Sequence, residues 1–328
     1  MSNLAISLND LDKTYRGRVH ALRGVSMDVH RGEVFGLLGP NGAGKSTLVK
    51  ILMTVVRPSK GRGTLLGEPI GSKPALAKVG YLPEHHRFPD YLTGEQTIDF
   101  FGGLSAVPRR VRRERIPKLL ELVGMSDWAG KRVKTYSKGM RQRLGIAQAL
   151  VNDPALVLLD EPTDGVDPVG RRDIRDIVRR LAGEGRTVLL NSHLLSELEV
   201  VCDRVAIMVQ GKVVRQGTMA DLTEPEKRYE IELTAPLPEA ALGELRDAAP
   251  DAHPVELSGA MITAGTTDPD SIQPLIAILM RKGAVVKSVR SHRPSLEDLF
   301  MRAVTDPETG RTLAPGAARE NTRGKGGR

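Results

Sequence analysis

The sequence predicts an α/β chain with a largely parallel sheet, followed by a small α+β domain. Three observations carry that reading. Apolar runs of strand length alternate with helix-length segments from about residue 1 to 222. Runs such as Val34-Phe35-Gly36-Leu37-Leu38 and Ala155-Leu156-Val157-Leu158-Leu159 are continuously apolar, as expected for strands buried on both faces. After Leu222 the texture changes, and 328 residues suit two domains at roughly 150 residues each.

Taken in order, Gly32, Pro58, Gly61 and Gly63 mark joints between the first elements. A helix is expected over Thr47–Met53. An insertion of mainly helical character spans about 86–150, with periodic Leu119, Leu120, Leu122 and Val123. Strands follow at 155–159 and 187–192. Thr223-Glu224-Pro225-Glu226-Lys227 reads as a linker. Beyond it come a strand at 229–233, a helix at 238–248, strands at 253–257 and 260–264, a helix at 271–282 and a strand at 284–289. This β-α-β-β-α-β order suggests a ferredoxin-like domain. The expected domains are 1–222, 223–305 and a polar, Gly- and Arg-rich tail over 306–328 that cannot bury a core. No internal repeat or long heptad pattern is present.

Composition narrows the function classes. Apolar residues are 40% and aromatics only 3%, so the core is aliphatic. No apolar run approaches the ~18 residues that cross a bilayer. The N-terminus lacks a basic segment followed by an apolar stretch, which argues against a signal peptide. One cysteine, Cys202, excludes an internal disulfide scaffold, fits a reducing setting and reads as a small core residue. Lys and Arg exceed Asp and Glu by 48 to 40, a net charge of +8 that favours acidic partners. Arg109, Arg110, Arg112, Arg113, Arg115 and Lys118 concentrate part of it, and read first as a solvated face. Few aromatics interleave with these bases, so a stacking platform for single strands is not indicated. His253 and His292 lack ligand-like neighbours and read as surface residues.

Residues 39–47 carry the chemistry: Gly39-Pro40-Asn41-Gly42-Ala43-Gly44-Lys45-Ser46-Thr47. This is G-x-x-x-x-G-K-[ST], placed between a strand and a helix as the motif requires. Glycines let the backbone wrap phosphate oxygens with its N–H groups turned inward. The helix N-terminus adds a positive dipole end. Lys45 suits the β- and γ-phosphates, and Ser46 suits Mg²⁺.

The strand at 155–159 ends in Asp160 and Glu161, at the sheet edge where open α/β folds bind ligands. Asp160 suits a Mg²⁺ water shell. Glu161 suits a water attacking the γ-phosphate. In isolation such a pair could instead cap a helix. Thr187–Ser192 leads into His193, which reaches the same edge if the two strands are neighbours.

A fourth element narrows the family. Tyr136-Ser137-Lys138-Gly139-Met140-Arg141-Gln142-Arg143 resembles the signature motif of the ATP-binding cassette (ABC) ATPases. Further matches run in that family's order. Tyr15 is similar to the aromatic that stacks on adenine, and Gly80-Tyr81-Leu82-Pro83-Glu84 to the Q-loop. Gly165-Val166-Asp167-Pro168 resembles the D-loop, and His193 the switch histidine. The resemblance covers about residues 4–222 and implies a cassette fold with N-terminal antiparallel strands. Two positions depart from the usual pattern. The signature's glycine-glycine-glutamine is Lys138-Gly139-Met140, and the Q-loop glutamine is Glu84, which leaves a carboxylate as the metal-water contact. Both variants resemble the branch that exports drugs, antibiotics and polysaccharides, as does Pro294-Ser295-Leu296-Glu297-Asp298-Leu299-Phe300. That last segment, by itself, is an amphipathic helix capped by Ser295.

The resemblance implies an ATPase that takes ATP and Mg²⁺, dimerises head to tail around two ATP and powers a separate membrane permease. Ser137 and Gly139 of one copy then complete the other copy's site. The chain would sit in the cytoplasm, peripheral on the inner membrane face through its permease, docked by the 86–150 segment with Glu84 at its hinge. The alternative is a cassette ATPase acting on nucleic acid or ribosomes. No coiled coil, cysteine cluster or second cassette in the sequence supports it.

Overall fold

The computed structural model describes residues 3–16, 19–223, 228–237, 255–266, 268–292 and 295–305, with the single positions 243, 245 and 313. The chain divides into two compact units, Met1–Thr218 with Phe300–Arg328, and Met219–Leu299.

In chain order, the first unit contains β1 (Leu4–Tyr15), β2 (Val19–His30), β3 (Val34–Leu38), α1 (Lys45–Leu52), β4 (Lys60–Leu65), β5 (Glu68–Pro69), α2 (Lys73–Leu76) and β6 (Val79–Leu82). The insertion follows, with α3 (Gly94–Leu104), α4 (Arg109–Leu122) and α5 (Lys138–Ala149). Then come β7 (Leu156–Asp160), α6 (Pro168–Gly183), β8 (Thr187–Asn191), α7 (Leu195–Val201), β9 (Arg204–Val209) and β10 (Lys212–Thr218).

A six-stranded sheet has the order β10-β9-β3-β8-β7-β6, parallel from β9 to β6 with an antiparallel β10 at its edge. β3, β7 and β8 are buried along their whole length, which is why their residues show no alternation. A second sheet, β2-β1-β4-β5, is antiparallel. Its inward residues Ile6, Leu8, Leu11, Val25 and Val29 join Phe35, Leu37 and Ile51 in one aliphatic core. Cys202 is buried, and desolvation pushes its thiol far up, so it acts as a small apolar side chain.

Local chemistry sets the helix ends. Thr93 and Gln96 form a reciprocal capping box on α3. Asp167 caps α6 through the Gly170 N–H. Helix α1 begins at Lys45, two residues before the expected Thr47. Gly44, at φ 105°, is its N-cap, and a Cβ there would meet the Ala21 carbonyl at 2.6 Å. Residues 86–93 of the insertion lie before α3 and are not helical. The basic cluster is partly structural. Arg112 pairs with Asp99 at 2.7 Å, and Arg115 donates to the Val151 carbonyl at 2.6 Å, so both tie α4 to its neighbours.

The second unit contains α8 (Met219–Thr223), β11 (Arg228–Leu233), β12 (Val255–Ser258), β13 (Met261–Ala264), α9 (Pro269–Arg281) and β14 (Val286–His292). Its antiparallel sheet has the order β12-β13-β11-β14, the ferredoxin-like arrangement, with Ile231, Ile262, Leu275 and Leu279 in its core. The last described helix is α10 (Leu296–Val304), where the Ser295 hydroxyl accepts from the Asp298 N–H as an N-cap. The linker at 224–227, most of the expected helix 238–248, His253, the His292 side chain and nearly all of the tail lie outside the described residues.

Candidate functional site

The site is built where the C-terminal ends of β3, β7 and β8 meet. β3 runs into the loop 39–44, which delivers Lys45 to the first turn of α1. Lys45 is buried, and its ammonium donates to the carbonyls of Gly39 and Pro40. Burial lowers its pKa, opposed by the negative charges of Glu161, Asp160 and Glu84.

β7 and β8 are parallel neighbours with Asp160 opposite Asn191, so the two chain ends lie side by side. Asn191 donates a short hydrogen bond to Asp160. Glu161 sits at φ 51°, in the left-handed region, held by its N–H donating to the Asn191 carbonyl at 2.8 Å. Such a backbone costs roughly 1–3 kcal/mol. Its Oε2 lies 2.8 Å from His193 Nδ1 and accepts from the His193 backbone N–H at 3.4 Å. Burial raises the pKa of both carboxyls. The Asn191 hydrogen bond opposes this at Asp160, and the His193 ring opposes it at Glu161. Burial and the charges of Asp160 and Glu84 push the Tyr81 phenol up to about 12.

Two cavities flank the loop. One, of about 340 Å³, is lined by Gly39, Asn41, Lys45, Ser46, Glu84, Glu161, Asp164, Asn191 and His193. The other, of about 260 Å³, is lined by Tyr15 and by Asn41, Gly42, Ala43, Gly44, Lys45, Ser46 and Thr47. Tyr15 Oη lies 3.5 Å from Thr47 Oγ1. A chain of phosphates thus has a cationic, N–H-rich bed with a polar wall on one side and an aromatic ring on the other. Among the described residues no cluster of three His, Cys, Asp or Glu could hold a metal unaided. The donors present, the Ser46 hydroxyl and the Asp160 carboxylate, are hard oxygens. They fit a magnesium ion that takes its remaining ligands from phosphate and water.

Ser137 and Gly139 line neither cavity. Ser137 caps α5, its hydroxyl accepting from the Met140 N–H at 3.2 Å. Two participants escaped the sequence reading. Asn191 stood two residues before His193 in a strand already singled out, and Asp164 stood between Glu161 and the D-loop-like segment. Neither residue type in itself signalled a contact.

Strand order, phosphate loop and acidic strand end together define a P-loop nucleoside triphosphatase of the cassette type. The ABC transporter family model matches residues 22–164. An ABC transporter ATP-binding protein of Synechocystis sp. is 40% identical over 90% of this chain and 84% of its own length. Nod factor export ATP-binding protein I of Rhizobium sp. is 35% identical over 92% of this chain and 97% of its own. Among solved structures, cbiO1 of Clostridium perfringens, part of the transporter complex cbiONQ, superposes with a TM-score of 0.62 at 30% identity. That match covers 67% of this chain and 91% of cbiO1. The chain belongs to the ATP-binding subunits of the ABC transporters, and it is an ATP-hydrolysing enzyme.

Proposed function

We propose that this chain binds and hydrolyses ATP as one of two identical copies that close around two nucleotides and drive export through a separate membrane permease. The observation that carries the reading is the separation of Ser137 and Gly139 from the cavity that holds Lys45, Glu161 and His193. One chain supplies the loop and the water-activating groups to this cavity but not Ser137 and Gly139, so a second copy completes each site. The 35% identity to a Nod factor exporter subunit supports the direction of transport.

Lys45 and the loop N–H groups hold the β- and γ-phosphates, and Tyr15 stacks on the base. Ser46 and Asp160 would hold Mg²⁺, with Glu84 beside them, and the ion would supply positive charge to the phosphates. Glu161 accepts a proton from the attacking water. His193 fixes the Glu161 carboxylate, and its half-exposed ring lines the same cavity as Lys45. His193→Ala removes one charge-assisted hydrogen bond, so kcat falls about 10- to 100-fold while ATP affinity changes little. Steady-state kinetics and nucleotide titration check both halves of that expectation.

No helix among the described residues is long and apolar enough to cross a membrane. Tyr91 is 73% exposed, Leu104 70% and Phe100 49%, all on the insertion that follows Glu84. Rings run from His86 through Phe88 and Phe101 to Phe100 in successive contacts of 5.1, 5.7 and 5.4 Å. Exposed apolar surface of this kind marks a protein contact, and it supports docking of the permease beside Glu84. Tyr91→Asp with Leu104→Asp is expected to leave basal ATPase activity intact and abolish permease-dependent stimulation. Full stimulation of that variant would place the docking surface elsewhere. Stimulation by DNA or RNA, with no membrane partner, would favour a non-transport cassette ATPase.

A further inference from the structure

Lys138 occupies a signature position where the family pattern has glycine, and its charge is anomalous there. As the first residue of α5 it places a cation at the positive end of the helix dipole, which is locally unfavourable. The structure shows what offsets it. Lys138 Nζ bonds Asp164 Oδ2 at 2.7 Å, and that hydrogen bond holds the Asp164 carboxyl below its usual range. The lysine stem lies across Gly165, at φ 61°, where an added Cβ would meet Cε at 2.8 Å and Cδ at 2.9 Å. Next to it, a Cβ on Gly139 would stand 3.3 Å from Cγ1 of the buried Val166. The signature turn therefore touches residues 164–166 twice, once through charge and once through packing.

Those residues belong to the turn that carries Glu161. The Asp164 N–H donates to the Glu161 carbonyl, and the Val166 N–H to the Thr163 carbonyl, both at 3.2 Å. Asp164 also lines the cavity with Lys45 and His193. Both partners of the ion pair are about half exposed, so the pair adds little to stability. Its value lies in what it connects.

We propose that the Lys138–Asp164 pair is an intrachain latch through which the signature turn and the Glu161 turn move as one unit. On the two-copy reading above, on which this rests, Ser137 serves the partner's ATP while Glu161 serves the chain's own. ATP engaged by the signature turn then shifts the Glu161 turn, so the first nucleotide favours binding and turnover of the second. Lys138 and Asp164 act as positioning residues in this scheme.

The test compares wild type, Lys138→Met, Asp164→Asn and the swapped pair Lys138→Asp with Asp164→Lys. ATP dependence of turnover and ATP-driven dimerisation by sedimentation are measured for each, with thermal midpoints as a folding control. Expected are cooperative turnover in wild type and a drop of about fivefold or more in the coupling between sites in each single variant. Dimers still form in all four proteins, and the swapped pair recovers the cooperativity. Single variants that keep wild-type cooperativity, or a swap that recovers nothing while folding normally, overturn the latch alone. A wild type that binds ATP and never dimerises overturns the latch together with the two-copy reading, and sedimentation identifies that case.

Discussion

Glu161→Gln leaves ATP binding intact, lowers kcat by at least ~10²-fold, the range for loss of a general base, and traps two chains around uncleaved ATP. Gln keeps the size of the side chain and can still meet the His193 ring, but it cannot take a proton from water. The same change is expected to raise the thermal midpoint of the nucleotide-free protein. Burial holds the Glu161 carboxyl above its ordinary pKa. A carboxyl raised in the folded state costs stability once pH exceeds the folded pKa, and costs nothing below the unfolded one. At neutral pH the ionised form therefore opposes folding, and a neutral amide relieves that cost. Loss of turnover with gain of stability is the mark of a residue kept for chemistry. Unchanged turnover would remove Glu161 from the role of base.

Lys45→Ala is expected to raise the Kd for ATP by roughly 10²-fold or more, the scale for truncating one partner of a buried charge pair. Lys45 bonds the Gly39 and Pro40 carbonyls and faces three carboxylates. Alanine leaves Asp160 and Glu161 without their buried counter-charge, so nucleotide-free stability falls here where Glu161→Gln raises it. Isothermal titration and melting curves on the two variants separate these opposite signs. Wild-type affinity in Lys45→Ala would end the phosphate-loop reading.

Much of this was legible in the sequence because it depends on neighbours in the chain. The loop 39–47, the carboxylates ending β7 and the continuous apolar runs are short-range patterns, and each stands where its spacing placed it. Contacts set by tertiary adjacency were not legible. Glu161 and His193 are 32 positions apart, and they meet only because β7 and β8 pair with Asp160 opposite Asn191. Lys138 read as a departure from a motif, while its partner Asp164, 26 positions on, was not singled out. The cluster at 109–118 read as a solvated face, yet Arg112 and Arg115 spend their guanidinium groups on Asp99 and the Val151 carbonyl. A charge run does not reveal which of its members reach back to the fold. The start of α1 depended on Gly44 taking a left-handed conformation, which composition alone does not display.

Whether the chain powers a membrane partner is tested most directly by solubilising membranes of the source organism gently and purifying the chain with what it holds. ATPase activity is then assayed with and without that partner. The account predicts a multi-span membrane protein that changes turnover when present and loses its effect on the Tyr91→Asp, Leu104→Asp variant. Recovery of the chain with nucleic acid or ribosomes alone, and turnover that follows their addition, would contradict it.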